Sequence, residues 1–202
     1  MKKSDFFAAH DMKIVPVLQN AVIGIAGCGG LGSNVAVSLT RVGIGKLIFA
    51  DFDKIEPSNL NRQQFFADQI GMPKVIALLE NLKKISPFTQ YQIHDIKLNE
   101  INIPLIFKDV DILVEAFDKA EMKEMLIETW LQNFPEKPII AASGLAGWGR
   151  NELLHIKKID NLYICGDEET DLQNGISPLA PRVGIVANMQ ANLVLELLLR
   201  EI

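Results

Sequence analysis

The chain has 202 residues, of which 49% are hydrophobic and 22% charged, and a formal net charge of −5. That is enough apolar material for a single folded domain with a core. Its Lys and Arg residues are scattered rather than striped, which argues against nucleic acid or an anionic membrane as the main partner.

Cys28 and Cys165 lie far apart, and His10, His94 and His155 form no cluster with them, so no zinc site is expected. The opening "MKKSDFFAAHDMKIV" has no long apolar core and no small-residue cleavage site, and no stretch approaches an uncharged membrane span. A reduced, cytoplasmic protein is the expectation.

Residues 1–20 mix charge and aromatics and read as an arm or short helix. "AVIGIA" (21–26) is an apolar run bounded by glycine, as a buried parallel strand requires. "LGSNVAVSLTRVGIG" carries apolar residues at helical spacing and ends in glycines, hence a helix. "KLIFA" (46–50) is the second strand and stops at Asp51. "DQIGMPKVIALLENLKKIS" reads as a helix with Pro near its start and lysines in its last turn. "QYQIHD" is a third strand, "DILVEA" (111–116) a fourth, "KAEMKEMLIETWLQNF" a helix and "KPIIAAS" a fifth strand. This alternation predicts an α/β fold: a Rossmann-like, mostly parallel sheet with helices on both faces. "NELLHIKKIDNLYICGD" then offers two short strands, a small antiparallel extension near the C-terminus. "DEETDLQNGISP" reads as a polar loop and "PRVGIVANMQANLVLELLLREI" as a closing helix. One domain spans 1–202.

Between the first strand and first long helix stands "GIAGCGGLGSN" (24–34). In such a loop one glycine permits the tight turn, a second lets a phosphate approach the backbone, and a later one lets helix pack on strand. Gly27, Gly29 and Gly32 have that spacing, and Gly30 keeps a side chain away from a bound nucleotide. The helix N-terminus behind them favours an anion. With Asp51 available for ribose hydroxyls, the loop alone leaves a redox dinucleotide and ATP equally open.

The segment "ADFDKIEPSNLNRQQFF" (50–66) adds Asn59, Arg62, Gln63 and Gln64, and Lys74 follows at the head of a helix. Two cations and several amides close to a glycine loop suit a triphosphate, whose leaving phosphates need neutralisation. "GCGGLGS", "DFDKIEPSNLNRQ", "GMPK" and "SPLAPRVGIVANMQANLVLELL" together closely resemble the adenylyltransferases that activate ubiquitin-like sulfur carriers. These are the ThiF and MoeB proteins, relatives of the ubiquitin-activating enzymes. The resemblance covers about residues 20–200, and "VEAFDKAEMKEML" looks most like compact thiamine-biosynthesis ThiF proteins.

The resemblance implies ATP held by backbone amides around Gly29, with Gly27, Gly30 and Gly32 beside it. It places Asp51 at the ribose, with Asp53 in the nucleotide-binding set. Asn59, Arg62, Gln63 and Lys74 would grip the phosphates, and Asp118 would coordinate Mg²⁺. Arg62, Lys74 and Asp118 are the catalytic candidates. The implied reaction adenylylates the C-terminal carboxylate of a small β-grasp sulfur carrier ending in Gly-Gly, as in thiazole formation, by a homodimeric enzyme. The chain departs from the family pattern in three places. It lacks paired CxxC motifs, has no cysteine in "TDLQNGISPLAP", and has no Arg before Arg41, where the partner's arm often supplies one. Cys165 and Cys28 read as packing thiols. "AASGLAGWGR", with Trp148, suits either a turn beside the nucleotide or an ordinary connection, and Arg182 could face the same cleft. An NAD-dependent oxidoreductase and a catalytically silent nucleotide-binding scaffold are the competing readings.

Overall fold

In the computed structural model, which describes residues 1–170 and 175–200, the N-terminal arm forms two short helices, α1 (Lys3–Phe6) and α2 (Val15–Asn20). The arm is tied down where Phe7 is buried against Gly43; a Cβ at Gly43, whose φ is +80°, would strike the Phe7 ring. The chain then runs through β1 (Val22–Ala26), α3 (Gly30–Arg41), β2 (Lys46–Asp51), α4 (Lys74–Ile85) and β3 (Gln90–Asp95). It continues through α5 (Asn102–Phe107), β4 (Ile112–Glu115), α6 (Ala120–Asn133), β5 (Ile139–Ala142), β6 (His155–Ile159), β7 (Leu162–Gly166) and α7 (Ala180–Leu199). Two 3-10 turns, Pro57–Asn61 and Ala67–Gln69, lie between β2 and α4.

The strands form one sheet in the order β3-β2-β1-β4-β5-β7-β6. All neighbours are parallel except β6 and β7, which pair antiparallel. The fold is therefore the Rossmann-like α/β architecture expected, and the antiparallel extension joins the main sheet through β7. Strands β1 and β4 are nearly all buried apolar residues because helices cover both faces. One core cluster gathers Leu31, Val35 and Leu39 of α3, Leu78 of α4 and Val186 of α7; a second gathers Phe107 of α5, and Leu126 and Trp130 of α6. The order reverses between β1 and β4, where the two chain directions part and leave a crevice beyond the strand ends.

Two elements differ from expectation. The helix expected from residue 68 begins at Lys74, because Gly71 sits at φ +87° and Pro73 supplies the N-cap. Helix α5 was not expected: it has six residues, and Asn99 supplies its start by accepting hydrogen bonds from the Ile101 and Asn102 amides. Helix α7 is, by length and a mean hydropathy of 1.3, apolar enough to cross a membrane, but it carries Arg182 and Glu196 and so is not the uncharged span that the sequence reading excluded. Its buried residues, Val186, Ala187 and Val194 among them, join the core cluster shared with α3. The loop expected over 167–178 and the helix end at 202 fall partly on residues 171–174 and 201–202, which lie outside the described residues.

The first turn of α7 is pinned by a buried ion pair. The Arg182 guanidinium, 2% exposed, donates to the fully buried Asp167 carboxylate at 2.5 Å and to the Gly149 carbonyl. Burial pushes the Asp167 carboxyl up. Hydrogen bonds from the Thr170 and Glu169 amides, the Thr170 hydroxyl and Arg182 outweigh it, so its pKa lies below the ordinary 3.8. A carboxylate of depressed folded pKa stabilises the fold above its unfolded value, and loses that contribution as pH falls through the folded one. Arg182→Met, which leaves a buried charge alone, is expected to lower unfolding free energy by about 3–5 kcal/mol at neutral pH. Urea titrations should show that deficit shrinking below pH 3.8 as Asp167 protonates.

Candidate functional site: a cavity at the crossover of the sheet

The carboxyl ends of β1, β2, β4 and β5 open into a cavity of about 640 Å³. Gly27, Gly29, Gly30, Asp51, Asp53, Arg62, Gln63, Lys74 and Asp118 all line it. Two of the expected site residues do not. Gly32 is a packing residue: a Cβ there would run into the Gly27 carbonyl, so its absence lets α3 close onto β1. Asn59 is buried beneath the 3-10 turn, where its Oδ1 accepts from the Glu56 amide at 3.1 Å.

Gly27 turns the chain at φ +100°, and a Cβ there would press on the Ala116 carbonyl. Gly29 is different in kind. Its φ is −79°, and the nearest atom to a Cβ would be Gln63 Nε2 at 3.7 Å, so the fold itself tolerates a side chain there. No side chain caps α3, whose first residues Gly30 and Leu31 face the cavity, so its leading amides and positive dipole end meet whatever enters.

The Asp51 carboxylate joins this turn to the segment after β2. Its Oδ2 accepts from the Cys28 amide at 2.6 Å and its Oδ1 from the Asp53 amide at 2.8 Å. Burial raises the Asp51 pKa, partly offset by the nearby Lys74 charge and these two amides. Lys74 is 7% exposed and donates to Asp53 Oδ2 at 2.8 Å, so its ammonium is poised in the cavity wall and shared with a half-exposed carboxylate. The Arg62 stem crosses Gly30, while its Nη1 donates to Ser58 O and Asn61 Oδ1.

The 62–64 segment is docked by residues that sequence reasoning missed. Asn34 Nδ2 donates to Gly30 O at 2.6 Å and to Arg62 O at 3.0 Å, so one amide binds the glycine turn to the cationic segment. Ser33 Oγ accepts the Gln64 amide, and Gln64 Nε2 reaches Asn34 Oδ1. "SN", directly after the last glycine, was the available signal. Gln63, 8% exposed, lines the cavity with a buried Oε1 that has no hydrogen-bond partner among the described residues. An unsatisfied buried acceptor of this kind has a place for a ligand donor.

Across the cavity, Asp118 lies just before α6, whose N-cap is Lys119 without a side-chain cap bond. The alternative of Asp118 as helix cap therefore finds no hydrogen bond to carry it. The Asp118 carboxylate is exposed to the cavity with no partner among the described residues. As a lone hard oxygen donor it fits Mg²⁺, which takes one or two carboxylates and completes its octahedron with water and phosphate. Among the described residues no group of three or more His, Cys, Asp or Glu could hold a metal. Ser143, Gly144, Leu145 and Ala146 line the same wall, whereas Trp148 is 77% exposed outside it, and Arg182 is spent on Asp167.

The matched family description decides among the folds that share such a cavity. The ThiF family model matches residues 7–201. The chain belongs to the ThiF family. It is 30% identical over 183 residues to the adenylyltransferase and sulfurtransferase MOCS3 of Caenorhabditis briggsae, covering 86% of this chain and 44% of that protein. It is 30% identical over 189 residues to adenylyltransferase and sulfurtransferase UBA4 of Kluyveromyces lactis (90% and 42%). It is 39% identical over 124 residues to ubiquitin-like modifier-activating enzyme 5 of Gallus gallus (55% and 31%). The chain thus spans less than half the length of these curated relatives. The ThiF fold is also that of E. coli tRNA N6-threonylcarbamoyladenosine dehydratase TcdA, solved in complex with AMP. The two agree at TM-score 0.87 with 17% identity, over 98% of this chain and 94% of TcdA. E. coli MccB with ATP agrees at TM-score 0.73 with 24% identity, over 92% and 57%.

Both thiols are packing groups in this ThiF-family domain. Burial raises the Cys28 pKa well above its ordinary value and pushes Cys165 up to about 12, so neither is a thiolate at neutral pH. Iodoacetamide at pH 7.5 is expected to leave both unmodified in the folded protein and to label both in guanidinium, read by intact mass. Labelling of either in the folded state would contradict the packing role.

Proposed function

We propose that this chain adenylylates the C-terminal carboxylate of a small ubiquitin-like, β-grasp sulfur carrier ending in Gly-Gly, of the ThiS kind. The observation that carries the reading is the convergence in one cavity of uncapped glycine-turn amides, Arg62, Lys74 and Asp118, which has no partner among the described residues. A redox dinucleotide needs the turn and one acid, and has no use for two cations beside that turn.

In this reading the α3 amides and the Gln63 Nε2 donor seat the triphosphate, and Asp51, already fixed by two backbone donors, faces the ribose. A carrier carboxylate oxygen attacks the α-phosphorus in line. A new oxygen–phosphorus bond forms as the bond to the bridging oxygen breaks, and pyrophosphate leaves with that electron pair. The carboxylate is already a competent nucleophile, so the site supplies placement and charge rather than a general base. Lys74 gives up part of its pairing with Asp53 to the arriving phosphates, and the Arg62 guanidinium, held through Nη1 by Ser58 and Asn61, turns its remaining donors to the same charge. Asp118 would hold Mg²⁺, which when bound neutralises phosphate charge. A place in thiamine biosynthesis, a homodimer and a cytoplasmic location belong to the same proposal. The net charge of −5 speaks against an RNA substrate.

The test is exchange of labelled pyrophosphate into ATP with a ThiS-like carrier ending in Gly-Gly. Exchange is expected only with the carrier present. Arg62→Ala and Asp118→Ala are each expected to lower it by about 10²-fold or more with unchanged thermal stability. ATP binding without exchange under any carrier would leave only the silent scaffold, and full exchange in either variant would remove that residue from the mechanism.

A further inference from the structure

Strands β4 and β5 are paired only at Leu113–Ile139 and Val114–Ile140. Beyond that point they part, and the cavity lies in the gap. One lip is the 116–119 turn that carries Asp118, and the other is the end of β5 leading into Ser143.

The gap is bridged by an ion pair that the proposed chemistry does not use, with Glu115 buried beneath and Lys123 reaching the cavity wall. Glu115, the last residue of β4, is fully buried. Its Oε1 accepts from the Phe117 amide at 2.6 Å, and its Oε2 receives the Ala142 amide at 3.5 Å. Lys123, on the second turn of α6, donates to both Glu115 oxygens at 3.0 and 2.8 Å and to the Ala142 carbonyl at 3.1 Å. From the other face of the sheet, Gln190 of α7 donates to Glu115 O and Ile140 O. A fully buried carboxylate is costly, and a well-packed apolar pair would suffice for stability alone. What this pair does that an apolar one could not is to bond both lips at once.

We propose that Glu115 and Lys123 are positioning residues: a polar clamp that fixes the spacing between the Asp118 turn and the β5 end across the cavity. The proposal rests on the adenylylation reading for its kinetic consequence and on geometry alone for its structural one. Misplacing groups by about 1 Å in such a site costs up to roughly a hundredfold in rate without a comparable loss of binding.

Three variants test it, with amide hydrogen exchange as a readout independent of turnover. Glu115→Gln and Lys123→Met are each expected to speed exchange at the Phe117 amide by about tenfold or more, and Lys123→Arg to keep it near the native rate. With the ThiS-like carrier, the first two are expected to lower kcat for pyrophosphate exchange roughly ten- to hundredfold while the calorimetric Kd for ATP stays within about twofold. Lys123→Arg should restore the rate. Unchanged Phe117 protection in Glu115→Gln would overturn the clamp, as would a loss of rate matched by an equal loss of ATP affinity. Glu115→Gln is isosteric and decides the matter if Lys123→Met fails to fold. An inactive native enzyme would count against the adenylylation reading, while Phe117 protection would still judge the clamp.

Discussion

Everything at the cavity mouth depends on where the Asp51 carboxylate spends its two oxygens. One takes the Cys28 amide inside the glycine turn, and the other takes the Asp53 amide at the start of the cationic segment. Two stretches that are distant in sequence are thereby set at fixed separation by one side chain. Burial raises the Asp51 pKa, so its ionised form is held at a cost that the amides and Lys74 partly offset. A group retained against that cost is more readily understood as part of a binding site than as packing.

The second constraint is the topology of the sheet. Because β2 and β3 lie to one side of β1, and β4 and β5 to the other, the loops after β1 and β4 turn away from each other. The crevice follows from that reversal, whatever the side chains. The side chains then decide what it suits. On the β1–β2 side stand amides and cations. On the β4–β5 side stand the Asp118 carboxylate, without a partner among the described residues, the charged start of α6 with Lys119, Glu121 and Lys123, and a lip of small residues, Ser143 to Ala146. Such a division fits a ligand that is anionic at one end and approached by a narrow chain at the other.

The elements legible in the sequence were those whose signal is local. The β1 run, the glycine turn and the helix behind it need only neighbouring residues to be read, and Gly27 and Gly32 occupy the turning and packing roles that their spacing implied. Helix α5 escaped because six residues are too few for a helical period to show. The start of α4 was set too early because Ile70 and Met72 continue an apolar rhythm that Gly71 and Pro73 interrupt. At the site, Arg62 and Lys74 were visible as charges at suggestive spacing. Asn59 looked like one more phosphate donor, yet it lies outside the cavity lining, with its Oδ1 closing its own 3-10 turn. The docking of Arg62 by Asn34 and the Glu115–Lys123 pair were not legible, since the residues joined lie on different elements and only the fold brings them together.

The claim on which the rest stands is that the amides of the glycine turn and the two cations bind one anion between them. The most direct measurement is a crystal structure of the protein with a non-hydrolysable ATP analogue. The account predicts the triphosphate against the Gly29–Gly30 backbone, within hydrogen-bond reach of Arg62 and Lys74, with Lys74 drawn from Asp53. A nucleotide seated with its phosphates pointing to solvent, away from both cations, would contradict it.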